Sequence, residues 1–293
     1  MDSSDNLTEL SPQPVKKKSG RKAKKNCERE ISDALGDFEK DKMFSKQKKL
    51  YENMHYLSPK EKQMFENKFT KPKNKNQEEY VHHLRNKNRK IIVASGPAGT
   101  GKTLFATEYG VRNFLLGLCD KLIFTRPSVS VDEEIGFLPG TLEEKMAPWI
   151  RPIYDVLYTF ISPKEVQELM EEKIIEIAPL GFMRGRTFKN AWIVADEMQN
   201  STVAQMKMLM TRLGENSRMV ITGDLEQHDR GHEINGMEDF LNKFKGKRSS
   251  SISSFEFEKT DIQREDVVKE VLDIYSGDMP LCYMENNDEE DIE

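Results

Sequence analysis

The sequence predicts an α/β sandwich built on a mainly parallel sheet, and three observations carry that expectation. Short apolar runs alternate with segments of helical spacing through most of the chain. The first run, Ile91 to Ala94, leads through Ser95 into Gly96-Pro97-Ala98-Gly99-Thr100-Gly101-Lys102-Thr103, which fits G-x-x-x-x-G-K-[ST] without a misfit and opens a helix. Two later runs, Ala191–Ala195 and Arg218–Thr222, stop at Asp196-Glu197 and Gly223-Asp224. Polar residues at the carboxyl ends of parallel strands lie where such sheets bind ligands.

Composition limits the alternatives. The 293 residues can bury a sizeable core. No apolar run approaches the ~20 residues that span a bilayer, and MDSSDNLTEL is polar rather than signal-like, so a soluble, unsecreted protein is expected. Cys27, Cys119 and Cys282 are odd in number and far apart, which supports neither a zinc site nor a disulfide framework and suits a reducing, cytoplasmic setting. The net charge of −5 hides an asymmetry: residues 1–90 carry 23 basic and 14 acidic side chains, the remainder 22 and 36. A basic arm on an acidic domain fits a nucleic-acid contact or a nuclear address, and equally a solvated tail.

Residues 1–30, with Lys16-Lys17-Lys18 and Arg21 to Lys25, read as disordered. Asp37 to Tyr56 has loosely helical spacing, and together these give a basic extension over 1–75, disordered and then helical. Ser58-Pro59-Lys60-Glu61 starts a helix, Lys71 to Asn76 reads as a linker, and Gln77 to Leu84 forms a short helix before the first strand. Lys121–Arg126 is a strand ended by Pro127. Thr141-Leu142-Glu143-Glu144 opens a helix reaching about Phe160, shaped early by Pro148 and Pro152, and Ser162-Pro163-Lys164-Glu165 starts the next. Strands follow over Ile174–Ala178, Ala191–Ala195 and Arg218–Thr222, with a helix from about Val203 to Arg212. Ile252–Phe257 alternates as an edge strand does, Arg264–Tyr275 is a closing helix, and 277–293 is an acidic tail.

The chemistry follows from residue types. Gly96, Gly99 and Gly101 let the backbone curl around phosphates, with Pro97, Ala98 and Thr100 completing the loop. Lys102 can reach the β- and γ-phosphates of a nucleoside triphosphate, and the Thr103 hydroxyl can ligate Mg²⁺. Asp196 is placed to hold the Mg²⁺, and Glu197 to activate water. Gln227, in the sequence ITGDLEQHD, can bond the γ-phosphate and the attacking water, Asp224 shapes the turn, and His228 receives no role. Arg126, Arg184, Arg186, Arg212 and Arg264 are candidates for the cation that meets the transition-state charge, with Arg126 and Arg264 the principal ones. Gln77 has an amide able to pair with adenine, though such a residue is more often an ordinary surface Gln.

Taken together, GPAGTGKT, TRPSV, GFLPGTLEEKMAPWIRPIYD, APLGFMRGRTF, ADEMQN, MKMLMTRLG and TGDLEQHD, between about Gln77 and Tyr275, resemble the PhoH-like proteins. These are single-lobe P-loop ATPases related to the nucleotide-binding lobe of superfamily 1 helicases. The resemblance implies a RecA-like three-layer sandwich over 76–276 that uses ATP and Mg²⁺. It gives Gln77 an adenine-reading role, Asp196 and Glu197 the metal and hydrolytic roles, and Gln227 a sensor role. It also implies RNA or single-stranded DNA as partner and a helicase-like activity. Arg264 matches the family by position, whereas the His-Pro that usually follows is absent. The residues after Tyr275 are too few for a second lobe, so an added arginine is expected from within this lobe or from a neighbouring subunit in a homo-oligomeric ring. A nucleotide-dependent switch with little turnover is the alternative function, and a small-molecule kinase is disfavoured by Glu197.

Overall fold

The computed structural model describes residues 58–127, 142–228 and 234–265, with isolated positions as far as 274. The expectations for the basic arm, the segment 37–56, the capping residue Thr141 and the acidic tail lie outside these residues.

Among the described residues six strands form one sheet: β1 (Ile91–Ser95), β2 (Lys121–Arg126), β3 (Ile175–Pro179), β4 (Ala191–Ala195), β5 (Arg218–Gly223) and β6 (Ile252–Glu256). Their order is β3-β2-β4-β5-β1-β6 and every pairing is parallel. β5 therefore lies between the strand that feeds the phosphate loop and the strand that ends at Asp196. β6 is an edge strand, in keeping with its alternating pattern.

β1 and β4 are buried along their whole length because helices cover both faces of the sheet. On one face lies α3 (Lys102–Leu115); its Ala106 carbonyl accepts from the Trp192 indole at 3.0 Å. On the other, Val93, Ile193, Ala195, Met219 and Ile221 pack with Met206 and Leu209 of α6 (Val203–Met210) and Met237 of α7 (Gly236–Phe244). The result is a three-layer α/β sandwich.

Among the described residues the other α-helices are α1 (Pro59–Glu66), α2 (Lys75–Arg85), α4 (Leu142–Phe160) and α5 (Pro163–Glu171). Ser58 and Ser162 close reciprocal capping boxes with Glu61 and Glu165, which is why both Ser-Pro-Lys-Glu stretches start helices. α4 continues past Pro148 and Pro152, so these prolines cost local backbone bonds without ending it. Before α2 the chain is already packed: Phe69 stacks on Phe160 with centroids 4.5 Å apart, and Thr70 donates its N–H and hydroxyl to Glu108 at 2.8 Å.

Candidate active site

β1 delivers the chain into a loop that only glycine geometry permits. Gly96, Gly99 and Gly101 sit at φ +132°, +84° and +89°, conformations that strain any residue bearing a Cβ. The carboxyl-terminal segment secures this loop from outside. Phe257 N–H donates to the Ser95 carbonyl at 2.8 Å and Gln263 N–H to the Gly99 carbonyl at 3.0 Å. From below, the Tyr80 hydroxyl of α2 donates to the Lys102 carbonyl at 3.2 Å.

A cavity of about 360 Å³ opens beside the loop. Its lining brings together Gly99, Lys102, Thr103, Asp196, Glu197 and Gln227, with Arg264 reaching in from the carboxyl-terminal segment. The Lys102 ammonium donates to the Gly96 and Pro97 carbonyls, both at 2.6 Å, and so occupies the loop's interior. Burial lowers its pKa, opposed by the charges of Asp224, Asp196 and Glu197.

Asp196 Oδ1 accepts from the Thr103 hydroxyl at 2.8 Å and from the Thr222 hydroxyl at 2.5 Å. Among the described residues no group of three or more His, Cys, Asp or Glu side chains is arranged to hold a metal. A hydroxyl beside one carboxylate is an all-oxygen donor set that fits Mg²⁺ sharing its shell with phosphate and water. Thr222, the last inward polar residue of β5, was not singled out in the sequence, although a hydroxyl at the end of an apolar strand was the available signal.

Glu197 sits in the left-handed region, φ +54° and ψ +35°, which turns its side chain away from the strand direction. Its Oε2 accepts from Gln199 Nε2 at 2.6 Å. Gln199 is 1% exposed, and the same amide donates to the Gln227 carbonyl at 3.1 Å and accepts from Asp224 N–H at 3.1 Å. Gln199 thus ties Glu197 to the loop that carries Gln227, a role the sequence reading missed because it depends on β4 and β5 being neighbours.

Two expected residues lie elsewhere. Arg126 ends β2 and lines a small adjoining cavity with Thr103 and Asp196 instead of the main pocket. Gln77, the expected adenine reader, is not among the residues lining the main pocket. It is 3% exposed, its Oε1 accepts from Lys73 N–H at 2.8 Å and its Nε2 donates to the Thr100 carbonyl at 3.0 Å. Both ends of the amide are engaged inside the chain, so it braces the phosphate loop. Gln77→Ala is expected to lower unfolding free energy by about 1–3 kcal/mol in urea titrations. The ratio of ATP to GTP affinity is expected not to change if bracing is its role; a loss of that preference would assign Gln77 the base-reading role. Of the other arginines, Arg186 pairs with Glu176 and Arg212 donates to the Arg186 carbonyl, so both serve the loop after β3; Arg184 is exposed there.

The PhoH-like protein family model matches residues 69–276. A PhoH-like protein of Bacillus subtilis is 43% identical over 200 residues, covering 68% of this chain and 61% of its own. One from Synechocystis is 52% identical over 139 residues, covering 47% and 42%. Protein PhoH of Escherichia coli K12 is 38% identical over 203 residues, covering 68% and 57%. The chain spans about two fifths to three fifths of these relatives' length. Among solved structures, the Pyrococcus furiosus Hef helicase domain aligns over 61% of this chain and 37% of its own, at 14% identity and a TM-score of 0.34. Unliganded Pif1 from Bacteroides sp. aligns over 73% and 48%, at 14% identity and 0.30. These two likenesses are distant and carry nothing about the site. The family match over 69–276, on a parallel sheet whose phosphate loop and Asp196-Glu197 meet at one pocket, means that this chain belongs to the PhoH-like family.

Proposed function

We propose that the chain is an Mg²⁺-dependent ATPase whose turnover is coupled to RNA or single-stranded DNA in a helicase-like way. The observation that carries this reading is the convergence of Lys102, Thr103, Asp196, Glu197, Gln227 and Arg264 on one pocket. ATP entering the loop gives the Lys102 ammonium β- and γ-phosphate oxygens in exchange for the Gly96 and Pro97 carbonyls. Thr103 and Asp196 would hold Mg²⁺, which would supply charge neutralisation at those phosphates. The Glu197 carboxylate accepts a proton from water as the water oxygen bonds to the γ-phosphorus. The bridging oxygen departs with the electron pair of the broken bond, leaving ADP and phosphate. Gln227 orients the water, and its carbonyl bond to Gln199 links its loop to Glu197.

Arg264 lines the pocket, so the arginine can come from within this lobe. A neighbouring subunit in a homo-oligomeric ring is the other source. Phosphate release with ATP and Mg²⁺, measured with and without single-stranded RNA or DNA, tests the proposal. Turnover is expected to need Mg²⁺, to rise with the single strand, and to stay constant per chain on dilution. No release under any of these conditions would sink the ATPase reading, and a fall on dilution would favour the ring.

A further inference from the structure

A cavity of about 660 Å³ opens at the amino end of the sheet, opposite the nucleotide pocket. Its walls carry Arg85, Lys87, Lys90, Arg112 and Arg218 against one lining carboxylate, Asp120. Arg112 is paired with Glu66 at 2.7 Å, whereas Arg85, Lys87 and Lys90 stand exposed at the rim. In a chain of net charge −5 this is a local reversal of sign. The cavity on the other flank of the phosphate loop, by comparison, is lined by Asp224, Glu226, Glu256 and Glu258 with Lys259.

Arg218 makes the positive potential hard to cancel. Its guanidinium donates to the carbonyls of Leu84, Arg89 and Asn86 at 2.8, 2.9 and 3.0 Å. Carbonyl oxygens solvate a cation without neutralising it. Burial pulls its pKa down to about 10, which leaves it charged at neutral pH. The aromatic floor offers no slot for a base. Trp192 is buried beneath Arg218, 4.8 Å from the ring centroid, and the buried Tyr109 accepts from Arg85 Nε at 2.7 Å. A ligand there would be held through its charge.

We propose that this amino-end cavity seats the phosphate backbone of a single-stranded nucleic acid. It deepens the proposed function and rests on its nucleic-acid part. Arg85, Lys87 and Lys90 contact the phosphates, and Arg218 supplies fixed charge from below. A polymer suits the site better than a mononucleotide, because the cations are spread along a rim and no base slot accompanies them. The seat also communicates with the nucleotide pocket through three shared elements. α3 runs from Lys102 to Arg112, β4 from Trp192 to the residue before Asp196, and β5 from Arg218 to the residue before Asp224.

The test is anisotropy of a labelled oligo-uridine dodecamer on the full chain over a range of salt concentrations. Lys87→Gln with Lys90→Gln removes two exposed cations at the rim, and Lys245→Gln with Lys247→Gln removes two exposed cations just after α7. The rim pair is expected to weaken binding about tenfold at low salt and to flatten the salt slope by about 1.4, whereas the α7 pair leaves both nearly unchanged. Equal losses from the two pairs would mean diffuse attraction and overturn the site. Binding that the rim pair leaves within twofold would overturn it too, with the nucleic-acid reading intact. If the unmodified chain binds no dodecamer, that reading fails and the site with it. In a Lys102→Ala background, an ADP affinity that falls with the rim pair while dodecamer binding holds would assign the cavity to a free nucleotide instead.

Discussion

Glu197→Gln is expected to lower ATP turnover by about 10²- to 10⁴-fold, some 2.7–5.5 kcal/mol of barrier, while leaving ATP affinity within a few-fold of the parent. The amide is isosteric and keeps an oxygen able to accept from Gln199 Nε2, so the 2.6 Å tether and the left-handed backbone at Glu197 can both persist. What is lost is a group that can take a proton from water. Phosphate binding draws on Lys102 and the loop amides, which the substitution does not touch. Single-turnover phosphate release beside equilibrium binding of a fluorescent ATP analogue separates the two quantities. Equal loss of binding and turnover would mean that Glu197 supports the loop. Turnover unchanged by the substitution would remove it from the chemistry and favour a nucleotide-dependent switch.

The fold and the site were legible to different depths. Strands buried on both faces announce themselves as apolar runs, so Lys121–Arg126 and Ala191–Ala195 fall where the spacing put them. The phosphate loop is legible because its residue types are fixed by local backbone geometry. α7 was passed over, although Met237, Phe240, Leu241 and Phe244 follow helical spacing and Asn235 caps them by accepting from Met237 and Glu238 N–H. Gln199 and Thr222 act across strands, and nothing local marks a side chain whose partners arrive from a neighbouring strand. Gln77 shows the same limit from the other side. Its amide suits a base by chemistry alone, but the packing of α2 against the loop gives it a different partner at Thr100.

Trp192→Ala is expected to lower unfolding free energy by about 3–5 kcal/mol, a large share of a domain's stability. Trp192 is 2% exposed in the middle strand layer. It is the side chain on which α3 rests. A Cβ at Gly110 of that helix would lie 2.6 Å from Trp192 Cδ1, so helix and indole touch without a side chain between them. The indole N–H also donates to the Ala106 carbonyl one turn earlier, and the ring carries Arg218 on its face. Truncation leaves a cavity, a helix carbonyl without its second donor and a guanidinium without its stacking surface, and these costs fall on one place. Because α3 begins at Lys102 and Thr103, loosening its seat should disturb the nucleotide pocket more than a loss of stability elsewhere would. Urea unfolding monitored by far-UV circular dichroism gives the first quantity. ATP affinity, measured well below the unfolding midpoint, gives the second. Trp192→Phe separates packing from hydrogen bonding: it should recover most of the stability and the ATP affinity while still lacking the bond to Ala106. A Trp192→Ala protein that unfolds at the parent's urea concentration would mean that α3 is held by other contacts and that the indole is not its support.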